Sequence, residues 1–107
     1  MHCKFSPKEA IIIYAMALLY IMGRSASQGL SLVETRALLQ QAGFSSTFED
    51  ITKTLVKCLR TGRMRASDTG IVFVKNSPND FVSLPVDVRI ELQQHAMNLW
   101  VRKEEQQ

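Results

Sequence analysis

Apolar residues come in four blocks with different spacing, and the spacing sets the first expectations. Residues 10 to 22, Ala-Ile-Ile-Ile-Tyr-Ala-Met-Ala-Leu-Leu-Tyr-Ile-Met, are apolar without interruption. Ser6-Pro7-Lys8-Glu9 precedes them and reads as a helix start: the serine oxygen accepts an amide of the first turn, the glutamate reaches back, and proline suits the first helical position. Gly23 is the expected stop. A second start, Ser31-Leu-Val-Glu34, opens a helix grouping Leu32, Leu38, Leu39 and Ala42, and Gly43 closes it. A third, Ser46-Thr-Phe-Glu49, opens a helix ending at Gly62. There Phe48, Ile51, Leu55, Cys58 and Leu59 recur at helical spacing on one side, while Asp50, Lys53, Lys57, Arg60 and Thr61 face away.

After Gly62 the period shortens. Arg63-Met64-Arg65-Ala66 alternates, Asp68-Thr69-Gly70 has turn chemistry, and Ile71 to Val74 is β-branched and aromatic, which predicts a β-hairpin. Asn76 to Asp80 reads as a loop. From about Pro85 a last helix is expected to run to roughly Lys103. Its apolar positions span an arc of ~220°, about twice the ~100° stripe that one core contact uses. The first helix has a similar excess, and both surpluses are assigned to a partner surface.

Composition adds limits. The 107 residues, 46% hydrophobic and 21% charged, fit one compact domain. Residues 6–75 are the expected core and 83–104 the terminal helix. The formal charge of +3 is mild, but its distribution is not. Six basic residues and one acid between Lys53 and Lys75 give a local +5, which leaves −2 for the remainder. Arg63 and Arg65 leave the inner side of the hairpin to Met64. The apolar run at 10–22 resembles the middle of a secretory signal, yet Glu9 abuts it and Arg24 interrupts its exit. It also falls short of the ~20 residues a membrane-spanning helix requires, so a buried helix is expected and no membrane partner.

Nothing in the sequence supports catalysis, a cofactor or a metal. His2 and His95 lie at opposite ends, and Cys3 and Cys58 show no ligand spacing. Cys58 falls on the inner side of its helix, so a buried free thiol is expected, which suits a reducing compartment such as the cytoplasm. Asp68-Thr69-Gly70 is turn chemistry. Gly62 and Gly70 are isolated and make no phosphate loop. Tyr14, Tyr20 and Trp100 are expected in core or dimer packing.

The order helix, short helix, glycine, helix, hairpin resembles the winged helix-turn-helix domains over about Ser6 to Lys75. The resemblance is carried by Leu38-Leu39-Gln40-Gln41-Ala42-Gly43-Phe44-Ser45 at the turn, by inward Ile51, Leu55 and Leu59, and by Gly62 before the hairpin. It implies a mainly α fold with a small β-hairpin (α+β) and a C-terminal dimerisation helix. The implied function is that of a dimeric DNA-binding transcriptional regulator. Ser45, Ser46, Thr47, Lys53, Thr54, Lys57, Arg60, Arg63 and Arg65 would then meet double-stranded DNA. Ile12, Tyr14, Leu19, Tyr20, Ile90, Met97, Trp100 and Val101 would form a homodimer interface. Glu49 and Asp50 depart from the pattern, because they would repel phosphate early on the recognition helix. Their presence favours the alternative, a protein-interaction module without DNA binding.

Overall fold

A computed structural model describes residues 5–22, 31–62, 64–67, 70–73 and 84–105. Helix α1 (Pro7–Ile21) begins at the Ser6 capping box: the Glu9 amide donates to Ser6 Oγ at 3.1 Å, and the Ser6 amide donates to Glu9 Oε1 at 2.8 Å. Helix α2 (Leu32–Gln41) is capped by Ser31, and helix α3 (Phe48–Arg60) by Thr47. Strands β1 (Met64–Ser67) and β2 (Gly70–Phe73) pair antiparallel from Met64↔Phe73 to Ser67↔Gly70. Helix α4 (Val86–Glu105) completes the order.

The expected α+β winged class is corrected to mainly α. Four helices carry the described structure, and the eight residues of the paired strands make a ribbon against α1 and α3, not a β layer. Strands this short and this few add little independent stability, so the helices must supply the core. Arg63 and the turn residues Asp68 and Thr69, on which the wing depended, lie outside the described residues, as does the side chain of Arg65.

Two glycines end helices for a clear physical reason. Gly43 adopts φ +85°; its amide donates to Gln40 O, and that of Phe44 donates to Leu39 O at 2.8 Å. That pair of bonds is a Schellman ending, which satisfies carbonyls the helix leaves open and needs a residue without Cβ at the left-handed position. Gly62, at φ +78°, serves α3 similarly, its amide donating to Leu59 O.

The core is built around α1. Its residues from Ile12 to Leu19 are all buried, and α2, α3, α4 and β2 surround it. This corrects the assignment of Ile12, Tyr14 and Leu19 to a dimer interface: neighbours within the chain already use every side of the helix. Leu38 and Leu39 from α2, Ile51 and Cys58 from α3, Met64 from β1, and Leu92 and Ala96 from α4 close over it. Cys58 is a buried free thiol. Buried Tyr14 keeps its hydroxyl satisfied by accepting from Gln93 Nε2 at 2.7 Å, which also ties α1 to α4.

Candidate interaction surfaces

The first turn of α1 is held by both ends of α3. Glu9 Oε1, already accepting from the Ser6 amide, also receives Lys57 Nζ of α3 at 3.1 Å. Asp50 Oδ2, accepting from the Thr47 amide at 3.3 Å, receives Lys8 Nζ of α1 at 2.9 Å. Each helix therefore lends its capping carboxylate to a lysine of the other. Lys57 also sits over the Phe5 ring, 4.8 Å from its centroid, a distance suited to a cation–π contact. The Ser6 amide first, then Lys57, holds the Glu9 carboxyl below the usual carboxylate range against the opposing effect of burial. Lys8 first, then the Thr47 amide, does the same for Asp50.

This arrangement redistributes the residues expected to meet DNA. Thr47 is the cap of α3, where Ser46 was expected, and Asp50 in place of Glu49 is its reciprocal partner. Ser46 is buried, with its hydroxyl near Phe44 O. Thr54 is buried and donates to Asp50 O at 2.9 Å, so neither hydroxyl is presented to a duplex. Lys57 is half-buried and turned to α1. Lys53 is exposed and paired with Glu49 at 3.0 Å, one turn away. Ser45 and Arg60 are exposed. The three cations of α3 share the outer side of the helix, but two of them are matched by carboxylates.

Beyond these pairs, the outer side of α3 carries an open depression of about 540 Å³ bounded by Thr52, Lys53, Val56, Lys57, Arg60 and Thr61. Leu59, expected inside, is partly exposed, as is Phe48, over which the Arg36 guanidinium lies at 4.7 Å. Val56, an apolar residue on the polar side of the helical wheel, is visible in the sequence among Lys53, Lys57 and Arg60.

Helix α4 supplies a second surface. Val88, Leu92, Ala96 and Leu99 face the core. On the other side Val86, Ile90 and Met97 are 59%, 47% and 61% exposed. At 100° per residue these three fall within about 40° of one another and roughly 145° from the core-facing set. Ile90 and Met97 were expected there; Val86 was not assigned. Tyr20 is half-buried on α1, and the side chains of Trp100 and Val101 lie outside the described residues. His95 pairs with Glu91 along the helix at 3.1 Å. Among the described residues no group of three or more His, Cys, Asp or Glu is gathered to hold a metal, and no helix is long and apolar enough to cross a membrane.

Protein-family models, curated proteins and solved structures give no match to this chain.

Proposed function

We propose that the chain is a small helical protein-interaction module that pairs with a second copy of itself through α4. The observation that carries this reading is the exposed stripe of Val86, Ile90 and Met97 on a helix whose opposite side is already packed. Aligned large apolar side chains facing water on a small domain mark a contact surface more often than singly scattered ones do.

The spacing of the stripe favours a second copy over an unrelated partner. Val86 and Ile90 are four residues apart, and so are Met97 and Val101. The set is symmetric about the midpoint between Gln93 and Gln94. An antiparallel two-fold axis at that midpoint sets Ile90 against Met97 of the other copy and Val86 against position 101, as an isologous contact requires. Gln94 then lies beside the axis, where a polar group fixes register, while Gln93 keeps its bond to Tyr14 of α1.

Duplex DNA is not the proposed partner. Lys53 and Lys57 are matched by Glu49 and Glu9, and Ser46 and Thr54 are interior. Phosphate binding scales with the number of cations that neutralise it, and few on α3 are available to do so. A buried thiol at Cys58 suits a reducing compartment, and the cytoplasm is the proposed location.

Sedimentation equilibrium tests the reading. The natural chain is expected to sediment as a dimer and the Ile90→Glu/Met97→Glu variant as a folded monomer. A monomeric natural chain overturns the proposal. Salt-sensitive duplex binding that is lost in Lys53→Glu/Arg60→Glu restores the nucleic-acid reading instead.

A further inference from the structure

We infer that the depression on the outer side of α3 docks an acidic peptide segment with one aliphatic anchor. The inference deepens the interaction-module reading and rests on it, but it uses a different helix from the self-pairing surface.

The lining carries the chemistry. Lys53, Lys57 and Arg60 surround Val56, with Thr52 and Thr61 at the margins, and no acid is among these residues. Val56 is 39% exposed on the polar side of an otherwise strongly amphipathic helix, outside the buried core. A partner's aliphatic side chain removes that surface from water. Lys57 directs its ammonium to Glu9 while still lining the depression; the aliphatic stem of such a lysine can cover apolar surface while its charge is held elsewhere. Lys53 is held by Glu49 in a pair whose side chains are 73% and 75% exposed, so exchanging Glu49 for a partner's carboxylate costs little. Arg60 stands at the last turn of α3 and offers a planar fork suited to a carboxylate.

Distance fixes the pattern of the ligand. Lys53 and Arg60 are seven residues apart, about 10 Å along the helix axis. An extended peptide covers that span in about three residues. Because only alternate residues of an extended peptide share a face, acids at i and i+4 with an aliphatic residue at i+2, spanning about 13 Å, bring both carboxylates within reach of the long Lys53 and Arg60 side chains and set the anchor over Val56. A nucleic acid fits less well. Its phosphates gain nothing from an apolar floor, and its backbone would continue past Glu49 and Asp50 at the other end of α3.

A random twelve-residue peptide display library, panned against the full chain, tests the inference. Enrichment of an aliphatic residue flanked by two acids is expected. The enriched peptide, made synthetically, should bind about tenfold or more weakly to Lys53→Glu/Arg60→Glu and to Val56→Asp, all exposed positions whose variants stay folded by circular dichroism. Its binding to Ile90→Glu/Met97→Glu should be unchanged, which separates failure at α3 from failure of α4 pairing. No acidic–aliphatic enrichment, or equal binding by the α3 variants, overturns the inference. Competition by a random-sequence DNA duplex at the same residues does so in favour of nucleic acid.

Discussion

Thr47 and Ser46 stand side by side before α3, yet only one of them caps it. Thr47 accepts from the Asp50 amide at 3.1 Å, while Ser46 is turned inward. Thr47→Ala should therefore destabilise the fold by about 1 kcal/mol, the usual cost of losing a cap. Ser46→Ala should cost clearly less, and urea denaturation of the two variants measures the difference. The sequence made a cap legible here and misplaced it by one residue, because Ser-Thr-Phe-Glu and Thr-Phe-Glu-Asp both satisfy the same spacing rule. What separates them is tertiary: Asp50 pairs with Lys8 of another helix, and Glu49 pairs with Lys53 along its own. The apparent defect of two acids at the start of α3 is resolved by the same contacts.

At the scale of elements, the exchange of capping carboxylates between α1 and α3 makes the helix ends interdependent. A double-mutant cycle on Glu9→Gln and Lys57→Met should give a coupling of roughly 1 kcal/mol, whereas Glu9 and the exposed Lys53 should show none. The folded-state pKa values of Glu9 and Asp50 lie below their ordinary 4.5 and 3.8. Their contribution is therefore complete above those values and is lost as pH falls through the depressed ones. The urea midpoint should drop on acidification below about pH 4, and the drop should be smaller in Glu9→Gln. A variant that titrates like the natural chain would count against the clamp. Helix existence and helix ends were legible in the sequence through Ser6, Ser31, Gly43 and Gly62. The use of α1 was not. Its uninterrupted apolar run left its neighbours unspecified, and the surplus assigned to a second chain is consumed by α2, α3, α4 and β2. Pattern gives the width of an apolar face without saying how many neighbours belong to the same molecule.

For the whole molecule, the charge and apolar patterns divide between two surfaces. The excess of basic residues after Lys53 was visible from the sequence, but the acids that match Lys53 and Lys57 lie as close as four residues and as far as 48. Only folding brings Glu9 to Lys57, so the surface expected to face DNA could not be judged from the segment alone. On α4 the wide arc was legible, and the structure divides it into a packed side and an exposed stripe. The symmetric spacing of positions 86, 90, 97 and 101 in the sequence of α4 makes antiparallel self-pairing the central claim. Cross-linking tests it most directly, with a short bifunctional maleimide on variants that carry one introduced cysteine in a Cys3→Ser background, where Cys58 stays buried. Gln94→Cys, beside the two-fold axis, should give a covalent dimer, and Val86→Cys, far from its own copy, should not. A dimer formed through position 86, or none through position 94, would contradict the account.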